Sequence, residues 1–166
     1  AAINGTSFTY DYSGRRIIKV GASTTYYIDP VLEHTAGTYT SYIFAGGTRI
    51  AKKVGNTLSY YHGDHLKSTN IETDLNGNKT FEACYKPYGE TWYQSGTEKY
   101  KFTDQEEDTE VSLYNYGARH YDPLFARFVS PDSIVPDPAD PQTLNRYSYC
   151  GNNPVMYVDP SGHLFG

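Results

Sequence analysis

Residues 113–132, LYNYGARHYDPLFARFVSPD, concentrate the side chains of this chain that could do chemistry. The segment holds two arginines and two aspartates among three tyrosines. Two neighbouring carboxylates can hydrolyse a peptide bond when one is ionised and takes a proton from water while the other is protonated and polarises the carbonyl. An arginine can hold such a carboxylate in place. The segment therefore has three interpretations: an active site, a nucleic-acid surface or a polar packing motif.

Composition and charge exclude some of these classes. The net charge is −5, and the 14 basic residues are scattered. A nucleic-acid footprint needs a clustered basic face, so we predict no nucleic-acid partner. No stretch approaches the length of apolar sequence that spans a bilayer, so we predict no membrane span. The first residues, AAINGTSF, lack a methionine and a signal pattern, and we expect processing or the choice of boundary to have removed the natural start.

Histidines and cysteines do not form a recognisable metal or redox motif. The five histidines are dispersed, and only His62 and His65 lie close together in sequence. We therefore predict no metal site and no cofactor, with the histidines acting as hydrogen-bonding strand or turn residues. Cys84 and Cys150 do not make a disulfide framework, and both a single bridge and two free thiols remain open.

Alternation of apolar and polar residues dominates the first hundred positions. In TSFTYDYSGRRIIKV, Phe8, Tyr10 and Tyr12 alternate with polar residues before a Ser-Gly turn. Gly46-Gly47 and Asn76-Gly77 supply further turns, and Asn-Gly is a strong hairpin signal. We expect about eight or nine strands up to residue 103 and no helical periodicity. The similar stretches YDYSGRRI, FAGGTRIA and TDLNGNKT indicate a repeating hairpin unit.

The character of the sequence changes after residue 104. The acidic stretch TDQEEDTEVS is expected to form a helical turn or a loop. Beyond it, prolines exclude regular sheet, so we expect a turn-rich cap. A short helix is predicted over DPQTLNRYSY, with Asp140 as its N-cap and Pro141 at its first position. The predicted fold is mostly β: antiparallel hairpins in a twisted strip, then a turn-rich C-terminal cap with at most short helices.

Several motifs in order carry a family resemblance. YDYSGRR, YYHGDHLKST, YKPYGE, LYNYGARHYDPLFARFVSPD and LNRYSYCGNNPVMYVDPSG together resemble the Rhs/YD-repeat proteins. Residues 1–59 resemble YD-repeat hairpins, and residues 60–166 resemble the Rhs-associated core domain.

The resemblance implies a location and a role. Such proteins form a hollow β-shell whose end is closed by the core domain, with a variable C-terminal segment, often a toxin, held inside. It implies a secreted or cell-surface bacterial protein used in competition between bacteria, in insecticidal toxin complexes or in cell contact. The partners implied are the rest of its own shell and a C-terminal cargo polypeptide.

The resemblance also implies an aspartyl autoprotease that acts once. The residues that match the family pattern are Asp132 and Asp159, with Arg127 assisting, and the bond between Leu164 and Phe165 is the implied cut. Ser133 stands where the family usually has proline, which weakens the match at Asp132. Asp before Pro is also a common turn starter, so a purely structural role for both aspartates stays open. For Asp122 we expect turn capping or pairing with Arg119 or Arg127.

Four residues stand where the family usually has glycine: Lys67, Asp104, Ser112 and Ala126. Because glycine often marks positive φ or close backbone approach, we expect these positions to be strained or differently turned. The three tyrosines of LYNYGARHY are expected to pack on a strand, with Gly117 allowing a bulge.

Two further hypotheses concern surfaces. A tyrosine-rich face could bind carbohydrate or another cell surface without catalysis, and exposure of Tyr10, Tyr12, Tyr60 and Tyr61 would favour it. Bare strand edges predict self-association or pairing with another chain. A free-standing hydrolase is disfavoured, because no nucleophilic triad or metal constellation is apparent.

Overall fold

The computed structural model describes residues 2–134 and 144–163. Eleven antiparallel strands form one sheet in which each strand pairs with the next along the chain. Their bounds are β1 Ala2–Ile3, β2 Thr6–Tyr10, β3 Arg16–Val20, β4 Thr24–Asp29, β5 Leu32–Thr35, β6 Thr38–Ala45, β7 Thr48–Val54, β8 Thr57–Gly63, β9 Thr69–Thr73, β10 Lys79–Tyr85 and β11 Thr91–Ser95. The mostly β fold predicted from the sequence is confirmed, although the strands up to residue 103 number eleven rather than eight or nine.

One turn recurs between the hairpins. At Asp11 and Asp74, the side-chain Oδ1 accepts the backbone N–H groups two and four residues later at 2.8–3.0 Å. Gly14 and Gly77 stand in the fourth position of these turns with φ of 84° and 79°. The third example starts at Asp64 and has the same hydrogen bonds. The aspartate and the left-handed fourth residue together explain why these short sequences turn the chain.

A second, smaller sheet follows the strip. Its strands are β12 Glu106–Asp108, β13 Leu113–Asn115, β14 His120–Asp122 and β15 Arg127–Phe128. Single 3₁₀ turns lie at Phe102–Asp104 and Cys150–Asn152. The described residues contain no α-helix, and no helix among them could cross a membrane.

The main core is formed by the small sheet and the turns around it, and is built largely from aromatic rings. Its buried members are Leu66, Phe102, Tyr114, Tyr116, Tyr121, Phe128, Tyr149 and Cys150. The hydroxyl of Tyr116 binds Thr103 Oγ1 at 2.8 Å and donates to Tyr149 Oη at 3.2 Å. Tyrosine can fill this core because each buried hydroxyl finds a polar partner. The packing role expected for the tyrosines of residues 113–121 is confirmed.

Residues 98–110 cross one face of the strip and are fixed to it by ion pairs. Arg16 of β3 binds Asp108 with two hydrogen bonds of 2.8 and 2.6 Å. Lys99 binds Glu33 of β5 at 2.5 Å, and Arg49 of β7 binds Asp104 at 2.8 Å. Strands far apart in the sheet therefore contact a single segment.

Several local expectations are corrected. The acidic stretch after residue 102 forms a 3₁₀ turn and then strand β12, because its carboxylates pair with cations of the strip. Tyr12 is not on a strand; it lies in the turn after β2 and is fully exposed. Residues 144–149 are not helical, while Asp140 and Pro141 lie outside the described residues. Gly117, with φ of 80°, lies in the turn after β13 rather than in a bulge.

Candidate functional site

Two aspartates distant in sequence meet at one arginine. Arg119 Nη2 lies 2.7 Å from Asp132 Oδ2 and 3.6 Å from Asp159 Oδ2. All three side chains are buried, with 6%, 4% and 3% of each residue exposed in that order. Buried charges require partners, and here one guanidinium serves two carboxylates.

The small sheet positions the first two of these residues. Arg119 lies in the β13–β14 turn, and its guanidinium stacks on the Phe128 ring with its carbon 3.6 Å from the ring centre. Its Nη1 donates to the Arg146 carbonyl at 2.9 Å. Asp132 follows β15, where its backbone N–H donates to that same carbonyl at 2.9 Å. The cap segment around Arg146 therefore positions both members of the pair.

Asp159 is delivered by a tight turn. Its Oδ1 accepts the backbone N–H groups of Ser161, Gly162 and His163 at 3.2, 2.8 and 3.1 Å. Gly162 has φ of 77°, and a side chain there would lie 2.7 Å from the Tyr116 carbonyl. Only glycine fits this position, because the backbone is left-handed and a neighbouring strand approaches it closely.

Burial raises the pKa of Asp159, while the backbone N–H groups and Arg119 act in the opposite direction. Burial also lowers the pKa of Arg119 despite its two carboxylate partners. A buried carboxyl group with a raised pKa, beside one that binds a guanidinium, is the kind of asymmetry on which acid–base catalysis by two carboxylates depends.

The segment that precedes the implied cut is bound to this cluster. Arg119 Nε donates to the Gly162 carbonyl at 2.5 Å. His163 Nδ1 lies 2.7 Å from Asp132 Oδ1. Leu164 and Phe165, the residues of the implied scissile bond, lie outside the described residues.

Arg127, the assisting arginine expected from the sequence, does not belong to this cluster. On β15 it alternates with Phe128, and since Phe128 is buried in the core, Arg127 points outward and is exposed. Arg119 takes the place expected of it. The sequence contained a signal for this: Arg119 shares the two-residue period of buried Tyr121, and a buried arginine needs carboxylate partners.

Of the alternatives open for Asp122 and for the two cysteines, the structure shows turn capping and free thiols. Asp122 caps the turn after β14 by accepting the N–H groups of Leu124 and Phe125 at 2.9 and 3.1 Å. Cys84 is exposed and Cys150 is buried, and both are free thiols. Across residues 2–134 and 144–163, no three histidine, cysteine or acidic side chains form a group that could hold a metal ion.

The four tyrosines proposed as a binding surface do not share one exposed face. Tyr60 is exposed on β8, whereas its neighbour Tyr61 points to the other face and donates to Glu98 at 3.1 Å. Tyr10 is partly buried, and Tyr12 lies in a turn.

Comparison with known proteins assigns the chain to a family. No family model matches the chain. It is 30% identical over 176 residues, covering 95% of the chain, to the tRNA3(Ser)-specific nuclease WapA of Bacillus spizizenii. This alignment covers almost the whole of this chain. Together with the ordered motifs of residues 6–162, it decides the family assignment. The chain belongs to the Rhs/YD-repeat family.

Other members of the comparison agree on the fold. Salivary gland surface protein 1 of Aedes aegypti is 38% identical over 107 residues, which cover 61% of the chain. The Tc holotoxin pore of Photorhabdus luminescens matches with a TM-score of 0.82 at 24% identity over 95% of the chain. The chain spans 3% and 7% of the two relatives and 9% of that solved chain.

The departures from the Rhs/YD-repeat pattern have a structural consequence. Lys67, Asp104, Ser112 and Ala126, which replace family glycines, all have positive φ, between 57° and 67°. All four residues therefore adopt the left-handed backbone that glycine favours. Lys67 takes the fourth place in the recurring turn, where Gly14 and Gly77 stand in the other two examples.

Proposed function

We propose that this chain is the terminal part of a β-shell that encloses and helps deliver a C-terminal toxin or effector polypeptide, and that it cuts itself from that polypeptide between Leu164 and Phe165. The observation that carries the proposal is the buried Arg119–Asp132–Asp159 cluster, which binds the residues just before that bond. The names of the nuclease WapA and the Tc holotoxin pore support a role associated with toxins.

The proposed chemistry assigns a separate role to each carboxylate. Asp132, which binds Arg119 at 2.7 Å, takes a proton from water as the water oxygen bonds to the Leu164 carbonyl carbon. Asp159, whose pKa burial raises, shares its proton with the developing oxyanion. Asp132 then passes its proton to the Phe165 nitrogen as the C–N bond breaks, leaving a new carboxyl group and a new amine.

Substitution by asparagine separates this chemistry from turn formation. The side-chain amide introduced by Asp159→Asn would keep the Oδ1 acceptor of the turn but could supply neither the carboxyl proton nor a charge. In a chain extended by a peptide tag after Gly166, we expect wild type to lose the tag and Asp159→Asn to keep it. Asp122→Asn is the matched control, because Asp122 also starts a turn before proline but contacts no residue of the cluster. Loss of the tag from Asp159→Asn at the wild-type rate would overturn the catalytic proposal.

The domain division and the location are part of the same proposal. We assign residues 1–59 to YD-repeat hairpins and residues 60–166 to the core domain, a division of sequence motifs, since strand β8 and the sheet run through the boundary. The proposed location is secreted or on a bacterial cell surface, and the proposed partners are the rest of the shell and its cargo.

A further inference from the structure

His163 contacts the proposed catalytic pair through both its backbone and its side chain. Its backbone N–H donates to Asp159 Oδ1 at 3.1 Å. Its ring Nδ1 lies 2.7 Å from Asp132 Oδ1, across 31 positions of sequence. If the chain is cut after Leu164, His163 is the second residue before the cut. The segment to be cleaved would then supply a side chain to the group that cleaves it.

The contact completes the set of donors around Asp132. Arg119 binds Oδ2 at 2.7 Å, and the Ile134 N–H donates to Oδ1 at 2.9 Å. A carboxylate oxygen accepts more than one hydrogen bond, so the imidazole adds to the Ile134 contact rather than competing with it. With the ring proton on Nδ1, both oxygens of Asp132 are held by donors, which fixes the plane of the carboxylate.

The histidine ring reaches the buried pair from the solvent side. Its ring is partly exposed, with one third of the side chain accessible, whereas Asp132 and Arg119 are buried. The ring links the segment just before the implied cut to this buried pair. The ring is therefore part of the substrate segment as much as part of the site.

We propose that His163 is a positioning and specificity-determining residue of self-cleavage: its Nδ1–H holds Asp132 in the orientation that accepts the proton of water. This inference rests on the proposed function. In this mechanism the segment that is cut assists its own cleavage. Cleavage therefore requires a hydrogen-bond donor on the second residue before the cut.

Two substitutions at one position test the role. In His163→Asn, the side-chain amide places an N–H donor near the position of the histidine Nδ1. In His163→Leu, a side chain of volume similar to histidine has no hydrogen-bond donor. We expect His163→Leu to slow release of a tag placed after Gly166 by about tenfold to a hundredfold, the value of a hydrogen bond to a charged group. His163→Asn should retain a rate within about threefold of wild type. His65→Leu is the control, because His65 binds only the Val155 carbonyl at 3.1 Å among the described residues.

The outcomes distinguish this inference from the proposed function. If wild type releases the tag and His163→Leu releases it at the same rate, the role of His163 is wrong and the proposed function stands. If wild type does not release it while thermal unfolding shows a folded chain, the proposed function is wrong and the inference falls with it.

A second measurement tests the contact without relying on cleavage. Nitrogen NMR of the histidine rings in uncut Asp159→Asn reports which ring nitrogen of His163 carries the proton. We expect Nδ1 to carry it, and the preference to disappear when Asp132→Ala is added. A proton on Nε2 in the Asp159→Asn chain would overturn the proposed hydrogen bond.

Discussion

Several non-glycine residues of this protein have a left-handed backbone. Lys67 adopts φ of 67° in the same turn that uses Gly14 and Gly77 elsewhere. A residue that carries a side chain costs about 1–2 kcal/mol in the left-handed region. Glycine avoids this cost, but it loses more backbone entropy on folding, which cancels part of the advantage. We expect Lys67→Gly to stabilise the protein by about 1 kcal/mol, measured by urea unfolding.

The reverse change supplies the control. Gly77 has open space around its Cβ position, so Gly77→Lys tests the backbone alone. It should destabilise the protein by about the same amount. Equal stability of wild type and both variants would contradict the assignment of strain to the fourth turn position.

Part of the candidate site could be predicted from the sequence. The motifs point to Asp132 and Asp159 as candidate site residues, and the structure brings both to one arginine. Arg127 was expected there instead of Arg119, because motif spacing does not tell which side of a strand a residue faces. The contact from His163 was not foreseen, since it joins residues 31 positions apart through the folded cap.

At the scale of elements, strand β12 depends on charges of the main sheet. Asp108 is fully buried and is held by Arg16, Lys19 and His120. Burial alone would raise the pKa of Asp108, but hydrogen bonds from His120 and Arg16 and the charge of Lys19 outweigh it and hold the pKa well below its usual value. We expect Asp108→Asn to destabilise the protein by about 3–5 kcal/mol at neutral pH.

The pH dependence of that difference follows from the direction of the shift. A carboxyl group whose pKa is lower in the folded state stabilises that state at pH values above its unfolded pKa of about 4. This stabilisation is lost progressively as the pH falls below that value toward the folded pKa. The stability gap between wild type and Asp108→Asn should therefore narrow from neutral pH to about pH 3. Glu110→Gln, at a more exposed partner of Lys19, should show a much smaller gap. A gap independent of pH would contradict the ion-pair account.

Hairpins were predictable at this scale, whereas β12 was not. The turns at Asp11 and Asp74 are determined by residues within five positions, so local sequence is enough. Residues 98–110 look like an acidic loop, and they become ordered because their partners lie on strands β3 to β7. Pairing over such distances cannot be read from a local pattern.

At the scale of the whole molecule, β11 is an edge of the long sheet. It carries Trp92 and Tyr93, which are 79% and 51% exposed on opposite faces. An exposed hydrophobic edge strand is a template for pairing with another strand. We expect the chain to self-associate in sedimentation velocity, and Trp92→Lys to shift it toward monomer.

Tyr12→Lys is the matched control for this prediction. Tyr12 is also a highly exposed aromatic residue, but it lies in a turn and not on a sheet edge. Association that persists in Trp92→Lys and disappears in Tyr12→Lys would place the contact elsewhere. A compact wild-type monomer would show that the edge does not pair.

Intact mass is the measurement that tests the central claim most directly. The chain carrying a tag after Gly166 is purified as wild type and as Asp159→Asn, and both are weighed. We expect wild type to end at Leu164 and the released peptide to begin with Phe165. We expect Asp159→Asn to keep its full mass. A folded wild-type chain that keeps its full mass, or a cut that persists in Asp159→Asn, would contradict it.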